Sequence, residues 1–329
     1  MTRPANYRAG ALLALVTAFL LAVQEPFSAL AARGLPAAEF VCLTQIALLL
    51  SVPILIVGRE SRRDFIAVLG DQRNFGKLAI LFLVGIGGLL LYDVGLSSAH
   101  PIITAGVLDL SPFWAALVAF VVSRKSIPGS PRVFIGCFVV AFCGAMAIAW
   151  SQLNNTDGKL LSEVLYGMLH SRWIFALPMP VFFALSGTLV GKWFAGLDES
   201  AVIGANFVVS AVVLIPVTAT MAYLDRGFQL DSQSMLAILM LLVGTLASSA
   251  AGRVFYQVAL TTTDNDNGFV TMFFLAIPVM SALLSMPLSH WIPSLHVAER
   301  PTFFAGMILV TAPLLVFSMR TWRHGESTG

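Results

Sequence analysis

Two stretches decide how this chain folds: Y-D-V-G-L-S-S, Tyr92 to Ser98, and Y-Q-V-A-L-T-T, Tyr256 to Thr262. Each closes a long apolar run, and each is soon followed by a proline set among small and apolar residues: S-P-F-W-A-A-L with Pro112, and I-P-V-M-S-A-L with Pro278. Two further matches keep the same order. A-R-G-L-P (Ala32–Pro36) answers F-A-G-L-D (Phe194–Asp198), and Pro53 answers Pro216. The offsets run from 162 to 166. The chain therefore reads as two copies of one unit.

The solvent of that unit follows from composition. Of 329 residues, 58% are hydrophobic and only 11% charged. A soluble domain carries about 25% charged residues. A bilayer core about 30 Å thick needs roughly 20 apolar residues per helix. Ten runs meet that length: 9–32, 38–57, 78–98, 101–122, 132–150, 173–194, 200–223, 235–260, 266–289 and 301–319. They are apolar throughout, without the alternation of a membrane β-barrel. The expected fold is an all-α polytopic membrane protein. The first five-helix repeat takes 1–150, an outer connecting segment 151–172, and the second repeat with a short tail 173–329. Part of the connecting segment, 160–170, is weakly amphipathic and reads as a short surface helix. Five is an odd number, so the second repeat enters the membrane inverted, as in many secondary transporters.

Orientation comes from the loops. With the N-terminus in the cytoplasm, thirteen Lys and Arg fall on the cytoplasmic side and five on the other, leaving Arg253 within a span. The positive-inside rule then places both termini in the cytoplasm of a multi-pass cell-membrane protein. The first run reads as a retained span rather than a cleaved leader. The net charge of +2 says nothing about nucleic acid; the basic residues are scattered in short loops without a patch or arm, and no nucleic-acid partner is expected. Cys42, Cys137 and Cys143 lie inside apolar runs and read as small buried hydrophobes. No histidine pair has metal-ligand spacing, and neither a metal nor another cofactor is expected.

The order of these features resembles the drug/metabolite transporter superfamily, EamA type. The residues that carry the resemblance are Tyr92–Ser98 with the Pro112 helix and Arg132–Val140, and Tyr256–Thr262 with the Pro278 helix and Phe303–Val310. The resemblance spans roughly 10–320 and implies ten helices in two homologous halves, with export of small organic metabolites as the activity. Val122–Lys125 and Leu288–Trp291 stand where family members often carry a Gly-Glu pair.

Four ionisable residues lie well inside spans: Glu25, Asp93, Asp109 and Arg253. Each costs roughly 2.5–3.5 kcal/mol to insert, so each asks for a reason. The three carboxylates fall at similar depth in the outer part of their helices, and Arg253 falls in the inner part of span eight. A water-filled cavity with an acidic outer portion would let them bind protons or a substrate ammonium. Arg253 would hold a carboxylate or phosphate through its paired donors. Acid above and Arg below suit an amino-acid-like zwitterion. The plainer alternatives stay open. Asp93 or Asp109 would reach headgroups, Glu25 would bond backbone freed by Pro26, and Arg253 would neutralise a fixed acid.

Gln24 adjoins Glu25, and Tyr92 and Tyr256 offer aromatic walls with hydroxyl tips. Gln45 and Asn206 read as interhelical hydrogen-bonding residues. No Walker motif occurs, so an ion or substrate gradient would supply the energy. The reading is a secondary transporter, in the export direction and with proton coupling as one option. Its partners are the bilayer and a small-molecule substrate, with a homodimer as an open alternative. Two other classes compete: an intramembrane lipid-modifying enzyme and a non-transporting receptor or scaffold. No nucleophile elbow or H-E-x-x-H supports the first, and little extramembrane chain supports the second.

Overall fold

The computed structural model describes residues 7–98, 107, 110–123, 131–152, 177–225, 232–262, 273–289 and 301–326. Among them no strand occurs. The described residues form twelve α-helices: α1 (Tyr7–Gly34), α2 (Ala37–Leu55), α3 (Arg59–Gly70), α4 (Phe75–Ser98), α5 (Ser111–Ser123), α6 (Pro131–Gln152), α7 (Met179–Trp193), α8 (Glu199–Asp225), α9 (Ser232–Leu246), α10 (Arg253–Thr262), α11 (Ile277–Ser289) and α12 (Pro301–Glu326). The expected surface helix within 160–170 lies outside the described residues.

The helices follow from the solvent. In hydrocarbon every backbone donor and acceptor must be satisfied within its own segment. Among the described residues, five stretches are long and apolar enough to cross a membrane: Arg8–Ala32, Ala37–Leu55, Gln72–Tyr92, Glu199–Leu224 and Ser234–Ala259. Shorter apolar helices cover Arg132–Ile148, Val279–Ser289 and Pro301–Pro313. Several hydroxyl side chains inside these helices bond back to carbonyls one turn earlier, as Thr44 to Phe40 (2.8 Å) and Thr218 to Leu214 (2.7 Å). That local bond removes the cost of a hydroxyl in an apolar segment.

Polarity is distributed inside out. Leu12, Leu83, Val121, Val212 and Ile308 are 64–68% exposed, while Glu25 is 3% and Gln45 2% exposed. Water would not tolerate that arrangement over so much surface. The protein is an all-α, multi-pass membrane protein.

Small residues set the helix contacts. Ala14 of α1 packs on Ala259 of α10. Gly252 lies beside Leu20 and Leu21, Gly244 beside Gln24 and Phe27, and Gly34 beside Ala237. Rising numbers on α1 meet falling numbers on the partner, so α1 runs antiparallel to the α9–α10 segment. Helices α6 and α12 cross where Gly144 meets Gly306; a Cβ on Gly144 would stand 2.6 Å from the Val310 nitrogen. Such contact requires glycine on both sides. Around the crossing, Phe113, Phe134, Ile148 and Phe303 form one apolar cluster.

Other packed pairs are α2 with α8, α4 with α7, α5 with α7, and α1 with α11. The run read as one span over 235–260 holds a wide π-turn, Ala247–Gly252, between α9 and α10. Small residues let that turn lie against α1. Such turns are enriched at functional sites.

Candidate functional site

Glu25 is carried by α1, which continues through Pro26 without a break. Its side chain is buried 3% exposed. Across the α1–α4 contact it meets Tyr92, which also neighbours Gln24 and Ser28. Neither Glu25 Oε2 nor the Tyr92 hydroxyl completes a hydrogen bond. The structure thus brings together three expected site residues, Gln24, Glu25 and Tyr92.

The same condition recurs on neighbouring helices. Among the described residues, Gln45 Oε1 on α2, Asn206 Oδ1 on α8, Thr245 Oγ1 on α9 and Ser281 Oγ on α11 are also buried without a partner. Thr245 follows Gly244, whose Cα faces Gln24 and Phe27, so it stands at the level of Glu25. Asn206 lies against Gly85 of α4. A native interior leaves few buried polar atoms unpaired, and each needs an explanation. Gln45 and Asn206 were expected to hydrogen-bond between helices. Their carbonyl oxygens complete no such bond.

Arg253 opens α10 directly after the π-turn. Its electrostatic neighbours are Glu199, at the start of α8, and Tyr256 one turn on. Gly252 sits beside Leu20 and Leu21. At 1.5 Å per residue, Arg253 therefore lies about 8 Å along α1 from Glu25, toward the α1 N-terminus. The two charges occupy separate layers. Tyr256 packs with Leu13, Ala14 and Phe273 in the Arg253 layer. Asp93 follows Tyr92 on α4, but its side chain, like the whole of Asp109, lies outside the described residues.

Glu199 was missed by the sequence because it opens a helix next to a polar turn, where an acid is ordinary. Thr245 and Ser28 were missed because hydroxyls carry no insertion cost large enough to mark them.

A third polar cluster lies outside the spans. Asp198 caps α8 by accepting the Ala201 N–H at Oδ1 (3.1 Å), and its Oδ2 accepts from Ser61 Oγ (2.9 Å). Asp64 on α3 accepts the Asp198 backbone N–H at 3.0 Å and an Arg63 ion pair at 3.2 Å. The Asp198 N–H, aided by Arg63, holds the Asp64 carboxyl below the usual carboxylate range. The Gly196 backbone, at φ 87°, makes the turn that aims Asp198. Lys77 closes the same end, donating to the Trp193 carbonyl (3.3 Å) with its ammonium 5.2 Å from the Phe194 ring centre.

No protein-family model matches the chain. Over 188 residues, 54% of the chain, it is 26% identical to a protein named Na(+)/H(+) antiporter NhaA from Bacteroides thetaiotaomicron. The match covers 41% of that relative, so the chain spans less than half its length. A solved structure described only as "Crystal structure of protein" shares the fold, with a TM-score of 0.57 and 17% identity over 96% of this chain and 98% of that one.

Proposed function

We propose that the protein is a secondary transporter of small, amino-acid-like metabolites, built as a ten-span inverted repeat of the drug/metabolite transporter type. The observation that carries the reading is Glu25: a buried carboxylate whose Oε2 has no protein partner, beside a Tyr92 hydroxyl in the same condition. A bond-ready carboxylate inside a membrane protein costs several kcal/mol unless a proton, water or cationic solute completes it. An aqueous passage supplies all three.

The helix packing supports the inverted repeat. Exchange α1 with α7, α2 with α8, α4 with α9–α10, α5 with α11 and α6 with α12. The pairs α2–α8 and α6–α12 map onto themselves, α1–α9/α10 becomes α7–α4, and α1–α11 becomes α7–α5, all of which are packed pairs. The glycines that meet, Gly144 and Gly306, come one from each repeat (1–150 and 173–329).

In this reading the outer layer, Glu25 with Gln24 and Tyr92, holds a proton or the substrate ammonium, and Asp93 is assigned the same role from its sequence position. The inner layer, Arg253 with Tyr256, holds the substrate anion, and Asp109 would extend the acidic side. The repeats rock about these layers, opening them to each membrane face in turn. The relative's printed name, an antiporter that exchanges a cation for a proton, fits a carboxylate that alternates between the two. With the N-terminus cytoplasmic, Glu25 faces outward and export follows when protonation from outside displaces the ammonium.

The test is efflux from vesicles of the purified protein across a panel of amino acids, amines and organic anions. Efflux of zwitterions above that of single-charge solutes is expected. A panel in which no solute moves would refute transport, and preference for simple anions would refute the acidic layer's role.

A further inference from the structure

Helix α3 presents two faces. Ser61, Asp64, Phe65 and Val68 recur at helical spacing and point into the protein. Ser61 and Asp64 bond Asp198, Phe65 lies against Gly204, and Val68 is fully buried among Leu78, Leu81 and Val202. The opposite face carries Arg59, Arg62, Arg63 and Ile66 at the same i, i+3, i+4, i+7 spacing. All four are exposed, the Arg63 side chain by 77% and Ile66 by 63%. Arg73 and Phe75, also exposed, extend the surface beyond the helix. Against these four arginines stand two exposed acids, Glu60 and Asp71; Asp71 already accepts the Arg73 backbone N–H at 2.9 Å, and Arg63 also pairs with the buried Asp64 at 3.2 Å.

A solvated basic face needs no isoleucine. A face meeting headgroups does: long guanidinium arms reach phosphate while an apolar side chain sits at the acyl boundary. We propose that the Arg59–Arg62–Arg63–Ile66 face of α3 docks on the headgroups of anionic phospholipids in the cytoplasmic leaflet. The commitment to lipid rests on charge complementarity, on the exposed Ile66 and Phe75, and on position. α3 joins the ends of two spans, α2 and α4, on the side that the proposed topology gives to the anionic leaflet. The proposal rests on that topology. Because Ser61 and Asp64 tie α3 to the start of α8, the docked lipid also braces the α3–α8 junction.

The experiment uses the purified full chain in bilayer discs of phosphatidylcholine alone and with phosphatidylglycerol. Lipid retained on extraction is measured by native mass spectrometry, and the unfolding midpoint is read alongside. Wild type is expected to retain phosphatidylglycerol over phosphatidylcholine and to unfold at higher temperature with it. Replacing Arg59→Gln and Arg62→Gln, neither of which contacts Asp64, should lower phosphatidylglycerol affinity about fivefold per arginine. Equal retention of the two lipids by wild type, or unchanged affinity in the double variant, would overturn the proposal. Should the variant not fold, wild type decides: the preference must fall with rising salt, and a salt-independent preference overturns it. A protein that moves no solute yet keeps the lipid preference breaks the transport reading alone.

Discussion

Two carboxylates in this protein are almost equally buried, Glu25 at 3% and Asp64 at 6% exposed. Their surroundings differ completely. Asp64 accepts a backbone N–H from Asp198 and a guanidinium from Arg63. Glu25 Oε2 completes no hydrogen bond, although the Tyr92 hydroxyl lies beside it within interaction range. A buried charge with its bonds complete is held in place, so it serves as a fastener. A buried charge with a bond left open stays available to something that arrives and leaves. Burial alone does not separate these roles; the count of completed bonds does.

The comparison is broken most decisively at Glu25. Replacing Glu25→Gln removes the charge and keeps the shape, and substrate flux should fall by roughly 100-fold, as for loss of a positioned proton-transfer group. The unfolding midpoint should stay the same or rise, since Oε2 has no bond to lose and the amide avoids burying a charge. A large drop in the midpoint would make Glu25 a fastener after all.

The converse variant is Asp198→Ala. It removes the α8 cap and the acceptor for Ser61 and should cost about 1–2 kcal/mol in denaturant unfolding. Flux per folded molecule should change little. Arg253→Lys keeps a charge near Glu199 but loses paired donors, and should weaken the apparent affinity for anionic solutes by about tenfold. Unchanged affinity in that variant would remove Arg253 from the substrate layer.

The smallest effect concerns pH. The folded-state Asp64 carboxyl sits below its unfolded value of about 4, so its contribution is complete above that value and is lost as pH falls below it. The midpoint of wild type should therefore fall on acidification below about pH 4 more steeply than that of Asp64→Asn. Parallel curves would show that Asp64 is not the fastener.

How much of this was legible beforehand depends on whether a residue contradicted its surroundings. Glu25 stands in an apolar run beside a proline, and insertion cost alone marks it. Tyr92 and Tyr256 were marked by recurrence, and the structure sets each beside a charged residue, Glu25 and Arg253 respectively. Helix α3 is not marked by hydropathy, because it carries no long apolar run. R-E-S-R-R-D-F-I-A-V-L is charged overall, although its two faces were already written at helical spacing.

The π-turn left no trace because A-S-S-A-A-G suits an ordinary helix as well. Glu199 looked like a loop acid; only tertiary packing brings it to Arg253. Gln45 and Asn206 were legible as polar residues in spans, but whether their bonds close depends on what faces them.

The central claim is that the open bond at Glu25 carries the proton. It is tested most directly by counting protons that cross the membrane with each solute molecule, in vesicles holding a pH-sensitive dye. Wild type should move protons against solute in fixed ratio, and Glu25→Gln should show none above the leak. A variant that still couples protons to solute at the wild-type ratio would contradict the account.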